Sequence, residues 1–195
     1  MMRIALALLL FLATPLFAAD VEVGIRHLGM FPMASSDVDV VSSRGFGATA
    51  EVFWTERLST QFAGTFLNPA AFLDRHDLDL GTLGIDAYSA SARWHFRPAS
   101  RFSPFAGGGV ALVTFGNLED RFNDDLEIEL EHTTAFLVEG GLRYRFRPRI
   151  ILDAAVSYMP LETEPSFVRN DAGYTLPEKL ALDPLTISVG ASWRF

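Results

Sequence analysis

Leu185-Thr186-Ile187-Ser188-Val189-Gly190-Ala191-Ser192-Trp193-Arg194-Phe195, at the C-terminus, decides the fold. Leu185, Ile187, Val189, Ala191, Trp193 and Phe195 share one parity, and Thr186, Ser188, Gly190, Ser192 and Arg194 the other. Side chains alternate between the two faces of a strand, so this segment has one oily and one polar face. A helix would need a 3.6-residue period, and it would be weakened by the Gly and Ser that recur inside apolar stretches.

The same alternation returns upstream. Val21, Val23 and Ile25 oppose Glu22, Gly24 and Arg26; Phe46, Ala48, Ala50, Val52 and Trp54 oppose Gly45, Gly47, Thr49 and Glu51. Tyr88, Ala90, Ala92, Trp94 and Phe96 oppose Ser89, Ser91, Arg93, His95 and Arg97. Phe136, Val138, Gly140, Leu142, Tyr144 and Phe146 oppose Glu139, Gly141, Arg143 and Arg145, and Leu152, Ala154, Val156 and Tyr158 oppose Asp153 and Ser157. Stretches near 60–68 and 102–116 are strand-like with weaker alternation, which makes eight strands.

A soluble antiparallel sandwich also alternates, with its oily face inward. Charge type separates the two cases. The chain carries 17 Phe and net charge −8, and of its 16 basic residues Lys179 is the single lysine. A wet outer face would carry lysines, whereas arginine suits desolvated, multiply bonded ion pairs. The polar parity is therefore placed inside, as a lumen plug of Glu22, Arg26, Glu51, Arg93, His95, Arg97, Glu139, Arg143, Arg145, Asp153 and Arg194. The acidic balance argues against nucleic acid as a partner, and the lack of Cys excludes a disulfide scaffold or a thiolate metal site.

Residues 1–19 read as a cleaved export signal. Arg3 supplies the positive start, Ile4–Ala13 is unbroken apolar sequence, and Ala18-Ala19 precedes Asp20. Residues 20–195 then form one domain, with 15 basic and 24 acidic residues, hence charge −9. Short links at 55–59, 98–101 and 147–149 alternate with long ones near 31–43, 69–81, 117–125 and 161–183. Tight turns at one end and long loops at the other are expected of an eight-stranded transmembrane β-barrel in the bacterial outer membrane, whose closure leaves no open edge. Trp54, Trp94, Phe96, Tyr144, Phe146, Trp193 and Phe195 fall on the oily parity beside the short turns, and Phe66, Tyr88, Phe115 and Tyr158 toward the other end, giving two interfacial girdles.

The segments Ala92-Arg93-Trp94-His95-Phe96, Ser103-Pro104-Phe105-Ala106-Gly107-Gly108-Gly109-Val110, Gly140-Gly141-Leu142-Arg143-Tyr144 and the ending Trp193-Arg194-Phe195 resemble, in order and spacing, the OmpW family of small outer-membrane barrels. The resemblance implies a barrel that admits small, often hydrophobic molecules and releases them sideways. The aromatic-x-Phe ending also resembles the signal read by the outer-membrane insertion machinery. Phe105 stands where the family has Tyr, and Asp74-Arg75-His76-Asp77 makes the second external loop polar.

Followed along each strand, the inward parity grades from charged near the short turns to apolar near the long loops. Leu28 and Met30 are high on the first strand, Ile85 and Ala87 on the fourth, with Val110, Leu112, Leu137 and Met159 on the fifth to seventh. Leu28, Val110, Leu112, Leu137 and Met159 are the expected pocket for a small hydrophobic molecule, or else merely fill the upper barrel. Outer-membrane lipid and lipopolysaccharide are the expected surroundings. A non-transporting barrel whose loops bind other cells or envelope components is the alternative. No cofactor, metal or catalytic residue is expected. His27, His76 and His132 lie high, His95 lies low, and none has a nucleophile at strand spacing, which argues against a lipid A-modifying enzyme. The acidic run Glu119–Asp125 lacks the ligand spacing and turn glycine of a calcium loop. Leu126, Ile128 and Leu130 continue the oily parity, so the sixth strand is expected to protrude as a hairpin with Glu127, Glu129 and Glu131 inward.

Overall fold

The computed structural model describes residues 20–33, 38–73, 78–116, 118–119, 126–130, 132–163, 165–170 and 180–195. The expected export signal, residues 1–19, lies outside them, as does the polar stretch 74–77. Eight antiparallel strands close into a barrel: β1 (Val21–Pro32), β2 (Ser43–Phe53), β3 (Leu58–Leu67), β4 (Ile85–His95), β5 (Phe102–Phe115), β6 (Thr133–Arg145), β7 (Ile150–Tyr158) and β8 (Pro184–Arg194). Each pairs with its sequence neighbours, and β8 closes on β1 from Glu22↔Arg194 to Pro32↔Pro184. Phe195 N–H donates to the Val21 carbonyl at 2.9 Å, so both ends of the barrel chain sit at the short-turn end.

Followed from partner to partner around the wall, the register leaves β1 at Val21, passes Val52, Thr60, Ala92, Gly108, Val138, Tyr158 and Leu185, and returns at Phe31. That stagger of ten residues on eight strands tilts the strands by roughly 40° and leaves an interior that side chains nearly fill. The turns are made by local chemistry. At Thr55 the side-chain oxygen accepts from the Arg57 and Leu58 N–H groups at 3.2 and 2.9 Å, closing the β2–β3 link.

The burial pattern is inverted relative to a soluble protein. Phe136 and Ile25 are 74% and 73% exposed, while Arg93, His95 and Glu22 are 1% exposed. So continuous an apolar exterior is stable against lipid and not against water. Among the described residues no helix is long and apolar enough to cross a membrane; the crossing elements are strands. The seven aromatics expected near the short turns all lie on the outer wall, where Tyr144 meets Phe102 at 4.8 Å and the Trp54 indole N–H donates to Thr60 at 2.9 Å. Phe115 is a correction. It is buried in the lumen, because β5 turns its odd residues inward.

Beyond the long-loop end, short strands form separate sheets. Val38–Val40, Ala70–Leu73 and Leu78–Thr82 make one; Leu118–Glu119, Leu126–Leu130 and Pro165–Asn170 make another. Leu126–Leu130 is thus extended as expected. Its partners include the β7–β8 connection, so it belongs to a three-stranded sheet and not to a plain hairpin continuing β6. The directions of Glu127, Glu129 and Glu131 lie outside the described side chains.

Candidate functional site: a charged floor beneath an apolar cavity

At the short-turn end the inward charges join into one network. Glu22 accepts from Arg194 Nε at 2.7 Å and from Arg143 Nη2. Arg93 donates Nε to Glu139 at 2.8 Å and Nη2 to the second oxygen of the same carboxylate, a bidentate pair, with its Nη1 3.5 Å from Glu51. Ser91 Oγ also donates to Glu139, at 2.5 Å. Arg26 Nε lies 3.0 Å from Asp153, poorly aligned for a hydrogen bond, and Nη1 donates to Gln61 at 3.1 Å. The register creates these pairs: Glu22↔Arg194 are direct cross-strand neighbours, whereas Arg93 meets Glu139 across the intervening Gly107 and Arg26 meets Asp153 across Gly190. On β8, Gly190 makes room for Arg26; a Cβ there would stand 2.6 Å from Arg26 Cγ and 2.7 Å from the Ile25 carbonyl.

Two lumenal rings complete the floor. Arg143 and Arg194 lie 5.0 and 5.2 Å from the Phe53 ring centroid, and Arg93 lies 4.5 Å from that of Phe105. Neither ring was a candidate from sequence, although both sit on the polar parity, two residues from Glu51 and Ser103 respectively.

Nine of the expected plug residues meet in this layer: Glu22, Arg26, Glu51, Arg93, His95, Glu139, Arg143, Asp153 and Arg194. Arg97 and Arg145 do not join it. β4 ends at His95, so Arg97 falls in the exposed turn beyond. At the mouth, Arg145 donates to the Pro98 carbonyl at 3.0 Å and has no carboxylate partner among the described residues. Without these two, four guanidiniums face four carboxylates, and the buried layer is charge-balanced. That balance matters because a buried unpaired charge costs several kcal/mol.

His95 Nε2 stands 2.9 Å from Ser59 Oγ and 3.1 Å from Glu51, a neighbourhood the strand spacing did not reveal. The trio has the residue types of a nucleophile relay without its wiring: Ser59 and Glu51 share one ring nitrogen, and Nδ1 is unpartnered. Ser59 donates to Glu51 at 2.5 Å and is wholly buried.

Above the floor is a cavity of about 100 Å³. Hydroxyls of Thr49, Thr65, Ser89, Ser157 and Ser188 ring its lower part, with Leu28, Met30, Leu67, Ile85, Leu137 and Met159 higher up. Leu161 and Leu182 roof it, and Asp183, in a left-handed conformation at φ 35°, accepts from the Leu161 N–H at 3.0 Å. Of the five expected pocket residues, Leu28, Leu137 and Met159 line the cavity. Val110 and Leu112 face outward, 48% and 46% exposed, and Ala111 and Val113 take their places inside. The cause is local composition: from Ala106 to Val113 every residue is small or apolar, so period two carries no information about sidedness.

Residues 4–195 match the family model of the outer membrane protein beta-barrel domain. Among solved structures, the chain is similar to OprG of Pseudomonas aeruginosa, with TM-score 0.81, 18% identity and coverage of 91% of this chain and 96% of that one. It is also similar to Neisserial surface protein A, with TM-score 0.59, 16% identity and coverage of 91% and 97%. For the outer membrane protein AlkL the TM-score is 0.57, with 19% identity and coverage of 91% and 90%. At these identities the likeness establishes a common fold. No curated protein sequence matches the chain.

Proposed function

The chain belongs to the outer membrane protein beta-barrel domain family, and on that premise we propose that it admits small apolar molecules at the bacterial surface and releases them sideways into the membrane, as its resemblance to the OmpW family implies. The observation that carries this reading is the closed, charge-balanced floor directly beneath an apolar cavity. An apolar solute in that cavity would have to displace paired, buried charges to pass the floor and would then meet water, whereas moving sideways into lipid keeps its surface dry, a difference of about 25 cal/mol per Å² of apolar surface.

The wall supplies an exit at the same height. β6 pairs with β5 from Thr133 to Tyr144, yet its ladder with β7 begins only at Val138↔Tyr158. Beyond Tyr158 the chain leaves the strand, and Pro160 has no N–H to continue pairing. Leu137 and Met159, both lining the cavity, flank the point where the ladder stops. At about 100 Å³ the cavity is smaller than the ~150 Å³ that holds a benzene-sized guest, so entry requires the flexible Met30 and Met159 side chains to shift.

Uptake of a small apolar dye into proteoliposomes, with and without Leu137→Trp, tests the proposal. The wild type accelerates uptake over protein-free liposomes, and the indole filling the cavity abolishes the gain. Met159→Trp serves if the first variant does not fold. Equal uptake with and without wild-type protein overturns the reading. Lipopolysaccharide around the outer sheets and the insertion machinery at the Trp193-Arg194-Phe195 end are the partners this reading implies. A second reading, a barrel that engages surfaces, is favoured by the two three-stranded sheets standing beyond the long-loop end.

A further inference from the structure

Arg145, which the floor leaves out, lies on the opposite side of that floor. The turn Phe96–Arg101 between β4 and β5 and the turn Phe146–Arg149 between β6 and β7 face each other across a shallow cleft of about 550 Å³. Arg101, Arg145, Arg147 and Arg194 line it together with Ala99, Phe146 and Pro148, and no carboxylate does. Arg194 is committed to Glu22, at 2.6 and 2.7 Å. Among the described residues, Arg101, Arg145 and Arg147 have no acidic partner. In a chain of net charge −8, whose buried arginines are all matched, this is a local excess of positive charge.

The cleft is also shaped for an anion. Guanidiniums bind oxyanions through a planar fork of N–H donors, and three like charges lining one cleft repel one another until an anion lies among them. Arg145 spends one donor on the Pro98 carbonyl, which fixes its head at the rim. Arg101 and Arg147 lie 5.8 and 5.6 Å from the ring centroids of Tyr144 and Phe146, so each rests against a ring on the lipid-facing wall. A second concavity of about 410 Å³, the mouth of the barrel, shares Ala99, Arg101, Arg145 and Arg194 with the cleft and is lined on its other side by Asp20 and Glu56. On its wall Ser103 is 7% exposed, and its Oγ has no hydrogen-bond partner. The hydroxyl thus keeps an unused donor on that wall.

We propose that this periplasmic cleft is a phosphate-binding site, formed by Arg101, Arg145 and Arg147 beside the mouth that carries the unpartnered Ser103 hydroxyl. The aromatic rings under Arg101 and Arg147 place two of the guanidiniums at headgroup depth, within reach of the phosphate of an anionic phospholipid. A soluble phosphate reaches the same donors through the mouth. Neither route uses the lumen cavity, so the site stands whether or not the barrel admits apolar molecules.

Arg101→Gln combined with Arg147→Gln tests it, since both residues are exposed and neither holds the barrel together. In one arm, inorganic phosphate is titrated into the detergent-solubilised barrel while the arginine Nε–Hε resonances are followed. In the other, the barrel sits in phosphatidylcholine bilayers containing trace spin-labelled phosphatidylglycerol or phosphatidylcholine, and the relative association of the two lipids is measured. The wild type is expected to shift its Arg101, Arg145 and Arg147 resonances with phosphate, to prefer phosphatidylglycerol, or both. The double variant loses the response by roughly tenfold to thirtyfold, on the scale of two arginines near an anionic surface. Arg57→Gln, in the remaining short turn, leaves it unchanged. A response to phosphate alone identifies a soluble ligand, and a lipid preference alone identifies the headgroup as the source. No response in either arm, or one that survives in the double variant, overturns the proposal.

Discussion

Replacing Arg93 by Met takes one charge from the middle of the floor and leaves its partners in place. Arg93 is 1% exposed, bidentate to Glu139, 3.5 Å from Glu51 and stacked at 4.5 Å on Phe105. Methionine recovers much of the packing, so the main loss is the compensation of Glu139, which keeps Ser91 as its neutral donor. Breaking a buried pair in this way costs about 3–5 kcal/mol, and the lost ring contact adds up to about 2 kcal/mol. Removing both partners, as Arg93→Met with Glu139→Met, deletes the orphaned charge and is expected to lie within about 2 kcal/mol of wild type, because a well-packed apolar pair replaces a buried ion pair at little net cost. Urea unfolding of the barrel in phospholipid vesicles, followed by the fluorescence of Trp54, Trp94 and Trp193, measures the cycle, and the coupling should be at least about 2 kcal/mol. A single variant within about 1 kcal/mol of wild type would mean that the layer behaves as a solvated surface pair, and the dry floor would be wrong.

Sidedness of β5 is tested with single cysteines in a chain that has none: a polarity-sensitive dye at Val110→Cys is quenched by lipid-borne quenchers, and at Ala111→Cys it is not. Ile25→Arg, on the lipid face, should destabilise the barrel by about 2–4 kcal/mol in vesicles if it lies near the bilayer midplane, as measured by the same urea unfolding. Gly190→Ala forces a methyl against the Ile25 carbonyl and the Arg26 stem and should cost roughly 1–3 kcal/mol; no loss on unfolding would mean that Arg26 is not held as described.

The barrel was legible where polar and oily residues alternate strictly, as in β1 and β8, because a one-residue slip there would expose charge to lipid. The floor was legible as a layer, since arginines and carboxylates shared one parity near the short turns. Its wiring was not. Arg93 finds Glu139 from a strand two removed, and Ser59 finds His95 and Glu51, through a stagger that no single strand encodes. Sidedness failed where composition is uniform, at Val110 and Leu112, and strand length failed at Arg97, which keeps the inward parity but lies past the last paired residue. Loop pairing was legible only in part: Leu126–Leu130 is extended, yet its partner Pro165–Asn170 comes from a different connection.

Electrical recording of the wild-type barrel in a planar bilayer tests the closed floor most directly. With Arg26, Arg93, Arg143 and Arg194 locked against their carboxylates, no stepwise ion current should flow at either polarity. A steady conductance through the wild type would show water running from end to end, and the sealed layer on which sideways release depends would not exist.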